Sequence, residues 1–233
     1  MAGQLSELDF PGVTPSRQRR SRETMAALLC TGAEMLRTRT LDDLSIEDLC
    51  AEVDATVGSF YGRFASKDAY FNVLLGLAAR DGQTMLAAMA QNDRLVRTDL
   101  ETLCGTLVGQ IIGWMRRHEG VLRAALQRSG SGPARWSDLK QLAAATTNAA
   151  TPLLLAAMGP SRSAARIRSI GFGFQTVFGT LVNAILNDPG PLSIHHPEMA
   201  VRLSRCLLLQ LQAEIGTRSV RQAKRPRVAR QRR

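Results

Sequence analysis

The chain has few of the residues from which most catalytic and metal sites are built. Among 233 residues there are three histidines and four cysteines, and the cysteines are too widely spaced to form a CxxC pair. There is also no HExxH, GxSxG or glycine-rich phosphate loop, the short spacings on which metal, nucleophile and phosphate sites depend. We therefore expect no catalytic residue, no metal and no cofactor, and we expect the cysteines to be buried, reduced thiols.

Long hydrophobic runs are scarce as well. Two uncharged stretches, 141–161 and 169–187, are interrupted by Gln, Asn, Thr, Pro or Gly, whereas a membrane span needs about 20 predominantly apolar residues. Residues 1–16 lack the basic start and apolar core of a signal peptide. These absences favour a cytoplasmic protein whose apolar stretches are buried helices.

Alternating β-branched runs are missing, and Ala, Leu, Arg, Gln and Met dominate, which indicates an all-α fold. We predict a flexible arm over 1–16, a DNA-binding domain over 17–80, a helical ligand-binding and dimerisation domain over 81–217, and a basic disordered tail over 218–233. The first helix is expected within 17–38, after the arginines that begin this region. The later helices are expected at 99–118, 121–129, 134–157, 161–187 and 197–215.

The formal net charge of +10 is unevenly distributed. Residues 218–233 hold eight Lys or Arg and no acid, whereas residues 17–80 hold nine basic and nine acidic residues. Most of the excess charge therefore belongs to the tail. Two interpretations stay open for it: a solvated extension, or an arm that gives nonspecific, salt-sensitive DNA affinity, as in an architectural DNA-binding protein.

Residues 45–64 predict two short helices joined by a tight turn. Ser45 and Thr56 each stand where a hydroxyl caps a helix N-terminus, and Ser66 caps the helix that follows. An apolar core is expected from Leu44, Ile46, Leu49, Val53, Phe60 and Phe64, with Thr56, Val57, Ser59 and Tyr61 facing outward. This arrangement predicts a helix-turn-helix, in which the second helix enters the DNA major groove.

The stretch from Arg17 to Leu75 resembles the TetR family of bacterial transcriptional regulators. The resemblance is sharpest at Ser45–Val53 and in the pattern Phe60-Tyr61, Phe64 and Ser66-Lys67-Asp68-Ala69. It implies a three-helix helix-turn-helix domain followed by a larger helical ligand-binding and dimerisation domain. It also implies DNA contacts from these residues: Arg17, Arg19, Arg20, Arg22, Ser45, Thr56, Val57, Gly58, Ser59, Tyr61, Arg63 and Lys67.

Two positions depart from the family pattern. Asp54 stands where glycine is usual in the turn, and Asp tolerates a left-handed backbone better than most residues. Arg63 stands where histidine is common, so we expect a cationic phosphate contact there. Because Val57 and Gly58 offer few hydrogen bonds to bases, methyl contacts and DNA shape are expected to carry much of the sequence preference.

The predicted helices 161–187 and 197–215 carry more apolar surface than packing against one partner within a monomer would need. The family resemblance implies that they form a four-helix bundle across a two-fold axis. Gly171 and Gly179 would permit close backbone approach. The alternative is that these stripes pack inside one chain. The interface is assigned to Ile170, Phe174, Phe178, Leu181, Ile185, Leu203, Leu207 and Leu211.

By the same resemblance, helices 99–157 form an effector pocket, for which Trp114, Met115, His118 and Trp136 are the candidates, although such residues are also ordinary core residues. The expected protein is a homodimeric repressor of a palindromic DNA operator, released by a small apolar or amphipathic effector. The rivals are the architectural protein described above and a helical enzyme or carrier.

Overall fold

A computed structural model describes residues 19–128, 137–160 and 163–223, and within these ranges the regular structure is helical. The predicted all-α class is confirmed. The expected N-terminal arm over 1–16 lies outside the described residues. The helices are α1 (Arg19–Met35), α2 (Ile46–Ala51), α3 (Val57–Tyr61), α4 (Lys67–Ala90), α5 (Asp93–Val96), α6 (Leu100–Arg117), α7 (Glu119–Arg128), α8 (Ser137–Ala157), α9 (Ala164–Asn187) and α10 (Pro197–Ala223).

The three predicted helix caps are present. The Ser45 hydroxyl accepts a hydrogen bond from the Asp48 amide at 3.1 Å, and Thr56 Oγ1 accepts one from the Ser59 amide at 3.1 Å. Ser66 Oγ accepts one from the Ala69 amide at 3.0 Å. Each hydroxyl satisfies an amide that has no partner inside its own helix, which is why these helices begin where they do.

The chain divides into two compact units at other positions than the predicted boundary at residue 80. One unit comprises Met1–Thr84 with Trp114–Leu142, and the other comprises Met85–Gly113 with Ala143–Arg233. The boundaries between the units fall inside α4, α6 and α8, so each of these helices contributes residues to both units. A boundary inferred from sequence spacing cannot detect such sharing.

An aromatic cluster lies at the centre of the first unit. Phe60, Phe64 and Tyr70 have less than 2 % of their surface exposed, and their ring centroids are 5.0 to 5.3 Å apart. The Tyr70 hydroxyl donates a hydrogen bond to the Leu28 carbonyl in α1 at 2.7 Å. It passes so close to Gly32 that a Cβ there would lie 1.7 Å from it. Gly32 therefore gives Tyr70 access to α1.

In the second unit α9 packs along α10. A Cβ on Gly173 would lie 2.5 Å from Leu207 Cδ1, so the two helices approach closely there. The structure corrects the dimer assignment, because the residues assigned to it lie on the side that packs within the chain. Seven are buried and Phe178 is half-buried: Ile170, Phe174, Phe178, Leu181, Ile185, Leu203, Leu207 and Leu211.

α9 and α10 also carry large apolar side chains that are exposed. Phe172 has 55 % of its surface exposed and Val201 has 64 %. An apolar stripe in the sequence marks a covered face of a helix but does not say what covers it, and this is why the stripe that is buried within the chain was assigned to the dimer. The exposed members are Ile167, Phe172, Val201 and Leu209.

A further difference concerns the end of α10. α10 continues to Ala223, so residues 218–223 of the expected disordered tail are helical. Extending an existing helix costs far less than starting one, and this segment contains no Pro or Gly. Residues 224–233 lie outside the described ranges. Among the described helices, α9 alone is long and apolar enough to cross a membrane by length and composition, and one side of it packs on α10.

The close approach of the Tyr70 hydroxyl to Gly32 leads to a prediction about stability. We expect Gly32→Ala to lower the free energy of unfolding by about 1–3 kcal/mol, because the new methyl group collides with the Tyr70 hydroxyl. The matched control is Gly105→Ala in α6, where a Cβ meets nothing within 4 Å. In chemical denaturation, the free energy of unfolding of the control should rise by roughly 0.5–1 kcal/mol, because alanine has a lower conformational entropy than glycine in the unfolded chain. Equal effects of the two substitutions would contradict the close approach of Tyr70 to Gly32.

Candidate nucleic-acid interface

The short helix α3 presents its outer side to solvent. Thr56, Gly58 and Tyr61 are exposed, with Tyr61 at 52 %, whereas Phe60 is fully buried. Val57 and Ser59 are half-buried, and Val57 packs partly against the core. Of the four residues predicted to face outward, Thr56 and Tyr61 are therefore exposed, while Val57 and Ser59 are partly covered.

The turn that leads into α3 has the backbone expected from its sequence. Asp54 has φ of 51°, in the left-handed region where glycine is usual. The Ala55 amide then donates to the Cys50 carbonyl at 2.9 Å, which closes the turn. Burial raises the pKa of the Cys50 thiol, so it stays protonated beside this turn. An aspartate can therefore stand at this position without loss of the helix-turn-helix geometry.

The polar atoms of α3 are partly engaged with the helix itself. Ser59 Oγ donates to the Thr56 carbonyl at 2.8 Å, which leaves the serine oxygen only as an acceptor. A Cβ on Gly58 would have Thr56 Oγ1 as its nearest neighbour, at 3.9 Å, so the backbone is open to close approach. This chemistry supports the prediction that hydrogen bonds to bases from this helix are few.

Two of the expected phosphate-binding cations already have partners inside the protein. Lys67 Nζ donates to the Asp42 carbonyl at 3.0 Å, which leaves its other two N–H groups available. Arg63 donates from Nη2 to Ser21 Oγ at 3.0 Å and from Nη1 to the Ser59 carbonyl. Ser45 Oγ, also a predicted contact, donates to Glu47 Oε2 at 3.1 Å while it caps α2.

The arginines at the start of the region are placed differently from the prediction. Arg19, Arg20 and Arg22 belong to α1 and do not precede it as an arm. Arg20 and Arg22 are exposed, and Arg17 lies outside the described residues. The helix begins earlier than its apolar stripe because arginine is a good helix former, so its first turn consists of polar residues.

The acidic residues around α2 bind to close neighbours. Asp48 Oδ2 pairs with Arg39 Nη1 at 3.1 Å, and Asp43 Oδ2 accepts from Thr40 Oγ1 at 2.6 Å. The carboxylate of Asp48 is thus paired with Arg39, which lies between α1 and α2. These local pairings are consistent with a region whose charges sum to zero but are unevenly placed.

The three described effector candidates lie in the first unit, where Trp114 and His118 contact α4. Trp114 is buried and its indole Nε1 donates to the Ala78 carbonyl at 3.0 Å. Met115 is buried as well, and Trp136 lies outside the described residues. That these residues bind an effector stays a prediction.

His118 and Arg117 both contact the Asp81 carboxylate of α4. The distances to Asp81 Oδ2 are 2.9 Å from His118 Nε2 and 3.1 Å from Arg117 Nη2. Partial burial acts to raise the pKa of Asp81, but the hydrogen bonds from His118 and Arg117 outweigh it and hold that pKa below its usual range. Asp81 is thus an ionised acceptor that joins two helices of the first unit.

The sequence predicts that all four cysteines are in the interior, and this is half right. Cys50 and Cys104 are buried, and burial raises the pKa of Cys104 to about 12. Cys30 and Cys206 are exposed. Helix-like apolar surroundings in the sequence do not say which side of the helix is covered. Within the described ranges no group of three or more His, Cys, Asp or Glu side chains is placed to hold a metal ion.

Comparison with known proteins extends these observations. No family model matches the chain. It is 30% identical over 98 residues to the HTH-type transcriptional regulator EthR of Mycobacterium tuberculosis and of Mycobacterium bovis. That match spans 42% of this chain and 44% of EthR, less than half of the relative's length.

Solved structures cover far more of the chain. A TetR-family transcriptional regulator from Streptomyces coelicolor covers 89% of this chain and 92% of its own, with a TM-score of 0.58 and 16% identity. A TetR-family regulator from Mesorhizobium loti covers 86% and 98%, with a TM-score of 0.61 and 10% identity. AmtR from Mycobacterium smegmatis covers 92% and 99%, with a TM-score of 0.53 and 18% identity. The resemblance to the TetR family is thereby confirmed, and the chain has the fold of that family's transcriptional regulators.

Proposed function

We propose that this protein is a cytoplasmic, dimeric transcriptional regulator that binds a palindromic DNA operator. The observation that carries the proposal is the capped pair α2 and α3, joined at the left-handed Asp54, with Thr56, Gly58 and Tyr61 exposed. A two-fold dimer would place two copies of α3 in successive major grooves, about 34 Å apart. The solved regulators of the same fold support a role in DNA binding and no catalytic role.

We further propose that the protein is a repressor that a small apolar or amphipathic effector releases from DNA. A ligand can have this effect only if it binds the DNA-free conformation more tightly than the DNA-bound one. Selection of binding sequences from a randomised duplex library would test the DNA proposal directly. Enrichment of a two-fold symmetric sequence is the expected result, and failure to enrich any sequence would count against it.

Tyr61 offers the sharpest test of the DNA-contacting surface. Tyr61→Phe should weaken binding to the selected duplex about tenfold or more, because a hydrogen bond to a charged phosphate contributes about 1.5–3 kcal/mol. Its thermal stability should hardly change, since the side chain is half exposed. Thr84→Val in α4 removes another exposed hydroxyl and serves as the control. Equal affinities of Tyr61→Phe and the wild type, measured by fluorescence anisotropy, would exclude Tyr61 from the contact.

The dimer is proposed to form through exposed apolar side chains of α9 and α10. Ile167, Phe172, Val201 and Leu209 supply exposed apolar area, which is costly to leave in water. At Gly171 and Gly179 a Cβ would meet nothing within 4 Å. The open backbone at these glycines leaves room for the helices of a second copy, as in a four-helix bundle.

Phe172→Glu should convert the dimer to a monomer, because it places a charge in an apolar interface. Light scattering coupled to size-exclusion chromatography would measure this. Val96→Glu in α5 is the matched control, since Val96 is 60 % exposed and lies outside α9 and α10.

Alkylation of cysteines gives an independent measure of the same interface. Cys206 is exposed on α10 within one chain and should be protected in the dimer, whereas the exposed Cys30 of α1 should react. In Phe172→Glu both should react. Rapid modification of Cys206 in the wild-type protein would contradict the proposed interface. So would a dimer mass of Phe172→Glu in light scattering.

The basic C-terminal residues distinguish this proposal from an architectural DNA-binding protein. Removing residues 224–233 deletes six Lys or Arg and leaves α10 whole. We expect weaker binding to unrelated duplexes and a shallower dependence on salt concentration, because fewer counterions are released. Preference for the selected sequence should persist. Loss of that preference together with nonspecific binding would favour the architectural alternative.

A further inference from the structure

Arg63 occupies an unusual position for a cation in a DNA-binding domain, because its guanidinium points into the protein. It directly follows Gly62, the C-cap of α3, and its side chain is half-buried. Nη2 donates to Ser21 Oγ in α1 at 3.0 Å, across 42 residues of sequence. Nη1 donates to the Ser59 carbonyl. Its Nε is buried and has no hydrogen-bond partner among the described residues.

The Ser59 carbonyl is one of the acceptors that the end of α3 leaves without a backbone donor. The two amides in range bind elsewhere: the Gly62 amide donates to Gly58 at 2.9 Å, and the Arg63 amide donates to Phe60 at 2.9 Å. Basic side chains near a helix C-terminus commonly satisfy such carbonyls. Arg63 does so while it also holds α1.

We propose that Arg63 is a positioning residue that clamps the recognition helix α3 to α1 through Ser59 and Ser21, and that it is not a phosphate contact. This inference rests on the proposed function and assigns one of its residues a different role. α3 has only five residues and cannot be stable alone. The clamp fixes the end of the helix that carries Tyr61. The planar fork of arginine suits this task because it reaches two acceptors at once, which an ammonium group does less well.

The test begins with the free protein, so it does not depend on DNA binding. Hydrogen exchange of the amides in α3 would be measured for the wild type, Arg63→Lys, Ser21→Ala and Thr24→Val. Thr24 is the matched control, since its hydroxyl donates to the Arg20 carbonyl within α1. Exchange should accelerate about tenfold in Arg63→Lys and Ser21→Ala and stay unchanged in Thr24→Val. Wild-type exchange rates in Arg63→Lys would overturn the proposal.

The second part measures the affinity of the same variants for the selected duplex at several salt concentrations. A phosphate contact predicts that Arg63→Lys keeps most of the affinity. A clamp predicts that Arg63→Lys and the uncharged change Ser21→Ala each weaken binding about tenfold, with the wild-type salt slope, and that the double variant is no weaker than Arg63→Lys.

Wild-type affinity in Ser21→Ala would overturn the clamp, as would near-wild-type affinity in Arg63→Lys. If the wild-type protein enriches no duplex, the proposed function fails by itself, and hydrogen exchange alone decides whether Arg63 holds α3 in place.

Discussion

The hydrogen bond from the Tyr70 hydroxyl to the Leu28 carbonyl is the contact on which the geometry of the helix-turn-helix depends. It forms only because Gly32 leaves the hydroxyl a passage to the backbone of α1. The same ring packs against Phe60 of α3, so one side chain of α4 fixes the positions of both α1 and α3. Interiors are packed like crystals and tolerate little displacement. Tyr61, next to Phe60 and with its ring 5.2 Å away, is therefore held in one place although it is exposed.

The recognition helix is held by a sum of local and long-range contacts. Thr56 caps its start, the left-handed Asp54 sets its direction, and Arg63 binds its end to α1. A five-residue helix has too few internal hydrogen bonds to persist on its own. For the DNA binding proposed above, accurate placement matters more than chemical variety, because α3 has few groups that distinguish bases and would rely on fit to the groove and the backbone.

The two units differ in how completely they cover their apolar side chains. In the first, the large side chains of the aromatic cluster are buried within the chain. In the second, α9 and α10 bury one side against each other and leave Phe172 and Val201 in solvent. Exposed area of this kind on two long helices is what a self-association surface requires. The +10 net charge contributes little to this picture, since most of it belongs to the C-terminal residues.

Features that depend on neighbours along the chain could be predicted from the amino-acid order. Hydroxyls at Ser45 and Thr56 predicted the helix starts, because helix caps are local. The left-handed turn at Asp54 was expected from the resemblance to the TetR family, in which glycine is usual at this position, and from the tolerance of Asp for that backbone. Which stripe of α9 faces inward, and which partners Arg63 finds, follow only from the folded chain. A periodic pattern marks apolar faces without saying what covers them, and a long cationic side chain reaches atoms such as Ser21 Oγ that lie 42 residues away. Those outcomes depend on the packing of distant segments, which no local pattern records.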